Sequence, residues 1–204
     1  MRLGLDVDGV HANFVGGLQQ LTVKTLGKDL FLREDAKNPP CWDWFHLRGY
    51  TQEEMDAVWK VIAESRDFWL TLEELPGCRT TRLVIRDLMR WHDVYFITNR
   101  LGKDAKWQTE QWLILHLGIE RPTVLLSGSK GLCARALKLD CYLDDYHVNA
   151  NNVVEQTSDT YAVKKPATRT YLLNTSYNEG QTLYPHVRRV NTVGEFYDAE
   201  LANL

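Results

Sequence analysis

Paired-cysteine motifs are missing from this chain. Its four cysteines, Cys41, Cys78, Cys133 and Cys141, form no CxxC pair and no zinc-ligand spacing. With no secretory leader at its start, reduced thiols in a cytoplasmic setting are the expectation. The histidines His11, His46, His92, His116, His147 and His186 make neither HxH nor HExxH, and most are expected to be surface or satisfied structural residues. His11 is the exception, because it sits in the loop between the first strand's acidic end and the helical stretch that follows, and His147 is expected to start a helix. No apolar run approaches the roughly 20 residues of a membrane-spanning helix. Charge of one sign is also scarce: 24 Lys and Arg stand against 27 Asp and Glu, a net charge of -3. That excludes a global attraction to nucleic acid or anionic membranes. The basic pairs Lys164-Lys165 and Arg188-Arg189 are expected on solvated faces. A small anionic substrate would need a local cation, such as a bound metal. Internal repeats and low-complexity tracts are absent.

What the chain does contain is enough apolar material, 44% of 204 residues, to bury the core of one domain carrying a modest insertion. Short β-prone runs occur at Arg2–Val7, Asp93–Thr98, Thr123–Ser127, Cys141–Asp145 and Thr170–Asn174. Helical patterns lie between them at Thr80–Trp91, Lys103–Leu117 and Lys130–Leu139, and Gly194–Leu204 reads as a final amphipathic helix. Strands alternating with helices predict an α/β fold, a parallel sheet covered by helices on both faces. The interval from Phe14 to Pro76 breaks the rhythm. It holds helical stretches near Val15–Leu26 and Gln52–Ser65, and between them Pro39-Pro40 and the aromatics Trp42, Trp44 and Phe45. That is too long for a simple βα connection. The expected division is a core of 1–14 and 77–204 with a small helical cap, 15–76, inserted after the first strand. Its aromatics suit a packed helical core, and equally suit stacking on a planar base.

The polar residues that end these strands carry the chemistry. In Asp6-Val7-Asp8-Gly9-Val10, residues two apart share a side of the strand, so Asp6 and Asp8 emerge together where open α/β sheets bind ligands. Two carboxylates so close need a cation or a proton between them. One can attack phosphorus while the other protonates the leaving oxygen and later activates water. Alone, DxDG is equally a solvated turn. The second strand ends in Thr98-Asn99-Arg100, offering a hydroxyl and backbone amides to a phosphate oxygen. Lys130, at a helix start after the third strand, can neutralise both nucleophile and phosphoryl group, although most lone lysines are surface residues. Asp144-Asp145 puts a second acidic pair at a strand end, which a metal would balance; an all-oxygen site suits magnesium.

The ordered set DxDGV, T-N, K and DD resembles the haloacid dehalogenase (HAD) superfamily of phosphohydrolases over roughly residues 1–150. That resemblance implies a Rossmann-like sheet, Asp6 as nucleophile and Asp8 as general acid/base. It further implies Thr98 on phosphate, Lys130 stabilising the phosphoryl-enzyme, and Mg2+ between Asp6, the Asp8 carbonyl and Asp144, with Asp145 supporting that shell. More narrowly, DVDGVHANF, the segment Pro40–Phe45 and RDFWLTLEELPGC at Arg66–Cys78 are similar to the 5'(3')-deoxyribonucleotidases. This implies a deoxynucleoside monophosphate as substrate, Phe14 stacked on the nucleobase, Trp42, Trp44 or Phe68 closing the pocket, and Asn99 assisting at the phosphate. His11 and Asn13 stand where Leu and Asp are common in that family. The competing readings are a phosphatase for another metabolite or a nucleic-acid end, a receiver-like phospho-acceptor, and a nucleotide-binding pseudoenzyme. The late acidic pair argues against a receiver. The complete set of reactive residues argues against a pseudoenzyme.

Overall fold

The computed structural model describes residues 1–76, 78–158 and 167–201. Gly77, the Lys164-Lys165 pair and the last three residues of the expected tail helix lie outside the described residues. Six strands form one sheet: β1 (Arg2–Leu5), β2 (Asp93–Thr98), β3 (Thr123–Leu126), β4 (Cys141–Asp144), β5 (Arg169–Leu173) and β6 (Val187–Val190). Their order is β3-β2-β1-β4-β5-β6, and every neighbouring pair is parallel. The chain winds outward from β1 through β2 to β3, then returns to place β4 on the other side of β1. The carboxyl ends of β1 and β4 therefore flank the point where winding reverses, the usual ligand crevice of such sheets.

Both faces of the sheet are covered. Val94 and Phe96 of β2 and Cys141 and Leu143 of β4 point into one apolar cluster, while their neighbours Ile97 and Tyr142 enter a second one. Helices α4 (Cys78–Trp91), α5 (Ala105–Leu117) and α8 (Val193–Leu201) group together, and α6 (Lys130–Leu137) packs on α7 (His147–Thr157). The expected alternation is thus present, and His147 does begin a helix. One strand escaped the pattern reading. β6 is only VRRV, and its two exposed arginines break the apolar run expected of a parallel strand. It can carry them because it lies at the sheet edge, where Arg189 donates to Asn174 Oδ1 (2.9 Å) and Asn178 Oδ1 (3.0 Å).

Between β1 and α4 the chain makes α1 (Phe14–Leu26), a short α2 (Trp44–Leu47) and α3 (Gln52–Glu64), and no strand among the described residues. Asn13 caps α1 by accepting from Gly16 N at 3.0 Å. Thr51 and Glu54 form a reciprocal capping box on α3. The entry to and exit from this insertion meet in an aromatic cluster: Phe14 stacks on Trp59 and on Trp69, each at 5.8 Å, and Phe68 packs edge-on to both Phe14 and Trp69. Trp69 then ties the cluster to the sheet-bearing part, its Nε1 donating to Leu101 O at 2.9 Å.

Candidate active site

The β1 ladder runs one residue past the strand, because Asp6 N donates to Leu143 O at 2.9 Å. This bond fixes Asp6 at the carboxyl edge of the sheet beside β4. Its Oδ1 accepts from Val7 N (2.7 Å) and from Lys130 Nζ (3.0 Å). Lys130 opens α6, is 1% exposed, and also donates to Ile97 O. Asp144 ends β4 and accepts from Tyr142 OH (2.5 Å), Tyr146 N (2.8 Å) and Asn149 Nδ2 (3.2 Å). Asp145 accepts from Tyr177 OH, and its carbonyl from Asn178 Nδ2 at 2.8 Å. Oxygens of Asp6, Asp144 and Asp145, all buried, lie within 4.8 Å of one another. Gly9 makes this approach possible. It adopts φ +75, and a Cβ there would stand 1.8 Å from Asp145 Oδ2.

The electrostatics of this group are unbalanced. Burial raises Asp6 to about 8, against the pull of Lys130, and Asp144 and Asp8 push the same way as burial. Burial also drives Asp145 well above the usual carboxylate range, helped by Asp144 and Asp6. Among the described residues the three buried carboxylates are met by one buried ammonium, Lys130, which pairs with Asp6, and a divalent cation among their oxygens would restore the balance. The all-oxygen donor set fits a hard ion such as magnesium.

The Asp8 carboxylate stands outside that triad. It accepts from Thr98 Oγ1 at 3.2 Å and, in a two-pronged pair, from Arg100 Nε (3.0 Å) and Nη2 (2.7 Å). The Arg100 side chain is fully buried. Its Nη1 donates to Thr109 Oγ1 at 3.1 Å, and the guanidinium lies 5.0 Å from the Trp69 ring centre. Arg100 is a residue to which the pattern reading assigned no role. The available signal was its spacing: it lies two residues beyond Thr98, so a continued extended path points both toward Asp8. The supporting Tyr142, Asn149, Tyr177 and Asn178 carried no signal, because they matter only through contacts the fold creates. Asn99 is exposed at the rim, with its amide facing Gly128 of the loop after β3.

The insertion aromatics divide. Trp44 is 3% exposed and packs on Phe31 and Phe45, and Phe68 is buried against Phe14 and Trp69. Trp44 and Phe68, expected to help close a pocket, thus lie in the interior. Phe14, expected on a base, is itself stacked on two tryptophans. Trp42 differs: it is 39% exposed, stacks on Tyr146 at 4.5 Å and meets Tyr177 edge-on at 5.5 Å. These tyrosines flank the acidic triad. A cleft of about 1300 Å³, lined in part by Phe14, Lys37 and Arg189, adjoins the site at Gly9 and Tyr177. None of Asp6, Asp8, Thr98 and Lys130 lines it, so the reactive side chains, not this cleft, mark the site.

His11 is buried, and neither ring nitrogen has a partner. Burial pushes its pKa down to about 3 from 6.5. The unfolded chain takes up this proton below 6.5 and the folded chain resists it, so stability is intact above 6.5 and falls as pH drops toward 3. At pH 5 the loss is about 2 kcal/mol. His11→Leu is expected to narrow the difference in melting temperature between pH 7.5 and pH 5. An unchanged difference would contradict this account of the ring.

The family described as "5' nucleotidase, deoxy (Pyrimidine), cytosolic type C protein" matches residues 1–182. The chain belongs to this nucleotidase family. Solved structures agree on the fold. A HAD-like hydrolase from Burkholderia xenovorans LB400 aligns with TM-score 0.62 at 12% identity, over 98% of this chain and 96% of its own. A HAD hydrolase from Bacillus subtilis, bound to magnesium, gives TM-score 0.57 at 12% identity over 100% and 98%. A HAD family hydrolase from Deinococcus radiodurans R1, with bound phosphate and sodium, gives 0.55 at 14% identity over 99% and 95%. No curated protein shows significant similarity. The nucleotidase is thus a phosphoric monoester hydrolase on a HAD-like α/β sheet, with a small phosphomonoester as substrate. Among its described residues, no helix is long and apolar enough to cross a membrane.

Proposed function

We propose that the chain is a Mg2+-dependent 5'(3')-deoxyribonucleotidase that removes phosphate from deoxynucleoside monophosphates through an aspartyl-phosphate on Asp6. The observation that carries this reading is the meeting of Asp6 with Lys130 at 3.0 Å and with Asp144 and Asp145 within 4.8 Å, at the sheet's reversal point. Asp6, Asp144 and the Asp8 carbonyl would hold the ion, with Asp145 supporting them, and the ion would supply charge neutralisation to the transferring phosphoryl group.

The protein's own groups do the rest. An Asp6 oxygen attacks phosphorus, and Asp8 gives its proton to the departing nucleoside oxygen. A water molecule then attacks the phosphoryl group on Asp6, with Asp8 taking the proton back. Lys130 offsets the charge on Asp6 and on the phosphoryl oxygens. Thr98 and Asn99 contribute donors to the phosphate, the Thr98 hydroxyl turning from Asp8 to do so. Residues 15–76 act as a small cap over the core of 1–14 and 77–204. Within it, Trp42 is the aromatic best situated to meet a base, while Phe14 helps to shape the adjoining cleft. The family description supports a pyrimidine deoxynucleotide and a cytosolic setting.

The test is phosphate release from a panel of nucleoside monophosphates, a sugar phosphate and a 3'-phosphorylated oligonucleotide, with Mg2+ and after EDTA treatment. Turnover should be fastest on pyrimidine deoxynucleotides, vanish with EDTA and return with added Mg2+. Fast release from the sugar phosphate or the oligonucleotide alone would overturn the substrate assignment, and undiminished turnover in EDTA would overturn the metal.

A further inference from the structure

Arg100 combines three observations. It is a fully buried cation, its fork grips both oxygens of Asp8, and its own position is set by groups on two separate elements. Thr109, on α5, accepts from Nη1 at 3.1 Å and is itself anchored by donating to Ala105 O at 2.7 Å. Trp69, at the exit of the insertion, presents its ring to the guanidinium at 5.0 Å. Trp69 is locked in turn: its N donates to Gln108 Oε1 at 2.9 Å and its ring stacks on Phe14. A surface carboxylate would need none of this.

We infer that Arg100 is a positioning residue for Asp8: its fork sets the place and orientation of the carboxylate that exchanges protons with the leaving group and with water, and Trp69 and Thr109 transmit the geometry of the insertion exit and of α5 to that carboxylate. This deepens the proposed function and rests on its assignment of Asp8. A planar guanidinium fixes both the direction and the rotation of a carboxylate, which a single point charge does not. The proton path stays balanced. Asp8 in its acid form gives its proton to the leaving oxygen as that oxygen parts from phosphorus, and regains one from the water that attacks the phosphoryl group on Asp6. Arg100 neither gains nor loses a proton. Misplacing Asp8 by about 1 Å is enough to lose on the order of 100-fold in rate.

The experiment compares Arg100→Gln, Arg100→Lys and Thr109→Val with wild type, in Mg2+, on a deoxynucleoside monophosphate and on p-nitrophenyl phosphate. Comparing kcat/KM isolates the step that expels the leaving group. p-Nitrophenolate departs without a proton, whereas the nucleoside alkoxide needs one. Arg100→Gln is expected to lose about 100-fold in kcat/KM on the nucleotide, within the range of a positioned acid, and less than about 10-fold on p-nitrophenyl phosphate. Arg100→Lys should restore little, because an ammonium lacks the fork. Thr109→Val should show the same leaving-group dependence at about fivefold, and it keeps the inference testable should Arg100→Gln fail to fold. Equal losses on the two substrates, or full rescue by lysine, would overturn the inference while leaving wild-type nucleotidase activity in place. A wild type inactive on both substrates would instead overturn the proposed function on which the inference rests.

Discussion

Asp6→Asn eliminates phosphate release, with a loss of at least about 10⁴-fold, the scale seen when an enzyme is deprived of its nucleophile. The amide keeps the shape of the carboxylate and can still accept from Val7 N and Lys130 Nζ, which now contact Oδ1 at 2.7 and 3.0 Å. It lacks the charged oxygen that must bond to phosphorus. The fold should therefore persist: a carboxylate that burial raises to about 8 is exchanged for a neutral group, which offsets part of the cost of taking from Lys130 the charge that faces it at 3.0 Å. Phosphate release and a thermal melt check both halves together. Activity within tenfold of wild type would remove Asp6 from the chemistry.

Lys130→Gln has the second-largest effect, on both rate and stability. The ammonium is 1% exposed and is the partner that Asp6 keeps at 3.0 Å, and Asp6 in turn lies within 4.8 Å of two further buried carboxylates. Taking one partner from a buried ion pair costs about 3–5 kcal/mol. Loss of a preorganised cation at a developing phosphoryl charge costs about 10²–10³ in kcat. The two losses respond differently to Mg2+. A divalent ion among Asp6, Asp144 and Asp145 can replace part of the missing charge balance, so added Mg2+ should raise the melting temperature of Lys130→Gln more than that of wild type. It should not restore kcat, because the lysine's donation to a phosphoryl oxygen has no substitute. Equal Mg2+ responses in the two proteins would show that the lysine and the ion do not share one charge cluster.

Most of the sheet was legible in the sequence because β1, β2, β4 and β5, past their first residues, are largely buried and rich in apolar side chains. Each then ends abruptly at a polar residue: Asp6, Thr98, Asp144 and Asn174. The parallel arrangement turns those endings into one edge, which is why residues as distant as Asp6 and Lys130 could be expected together before any geometry was known. β6 was not legible, since an edge strand tolerates Arg188 and Arg189 in the middle of a four-residue run. The insertion was read as helical from its spacing, but composition does not say which aromatic faces a cleft. Trp42 and Trp44 are two residues apart, yet one stacks beside the acidic loops and the other packs in the interior. That difference is set by tertiary contacts with Tyr146 and Phe31, not by the local run. Arg100 was overlooked for the opposite reason. Its neighbour Thr98 already accounted for that strand end, and a fully buried arginine is uncommon unless a carboxylate is waiting for it.

Site-resolved trapping of the phosphoryl group examines the core of the account most closely. Protein mixed with a ³²P-labelled deoxynucleoside monophosphate and Mg2+ is quenched in acid within milliseconds and digested, and the labelled peptide is sequenced. Label on the peptide containing Asp6, appearing before free phosphate and lost under mild alkali, is the result expected. Rapid formation of free phosphate with no label on Asp6 at any time would contradict it.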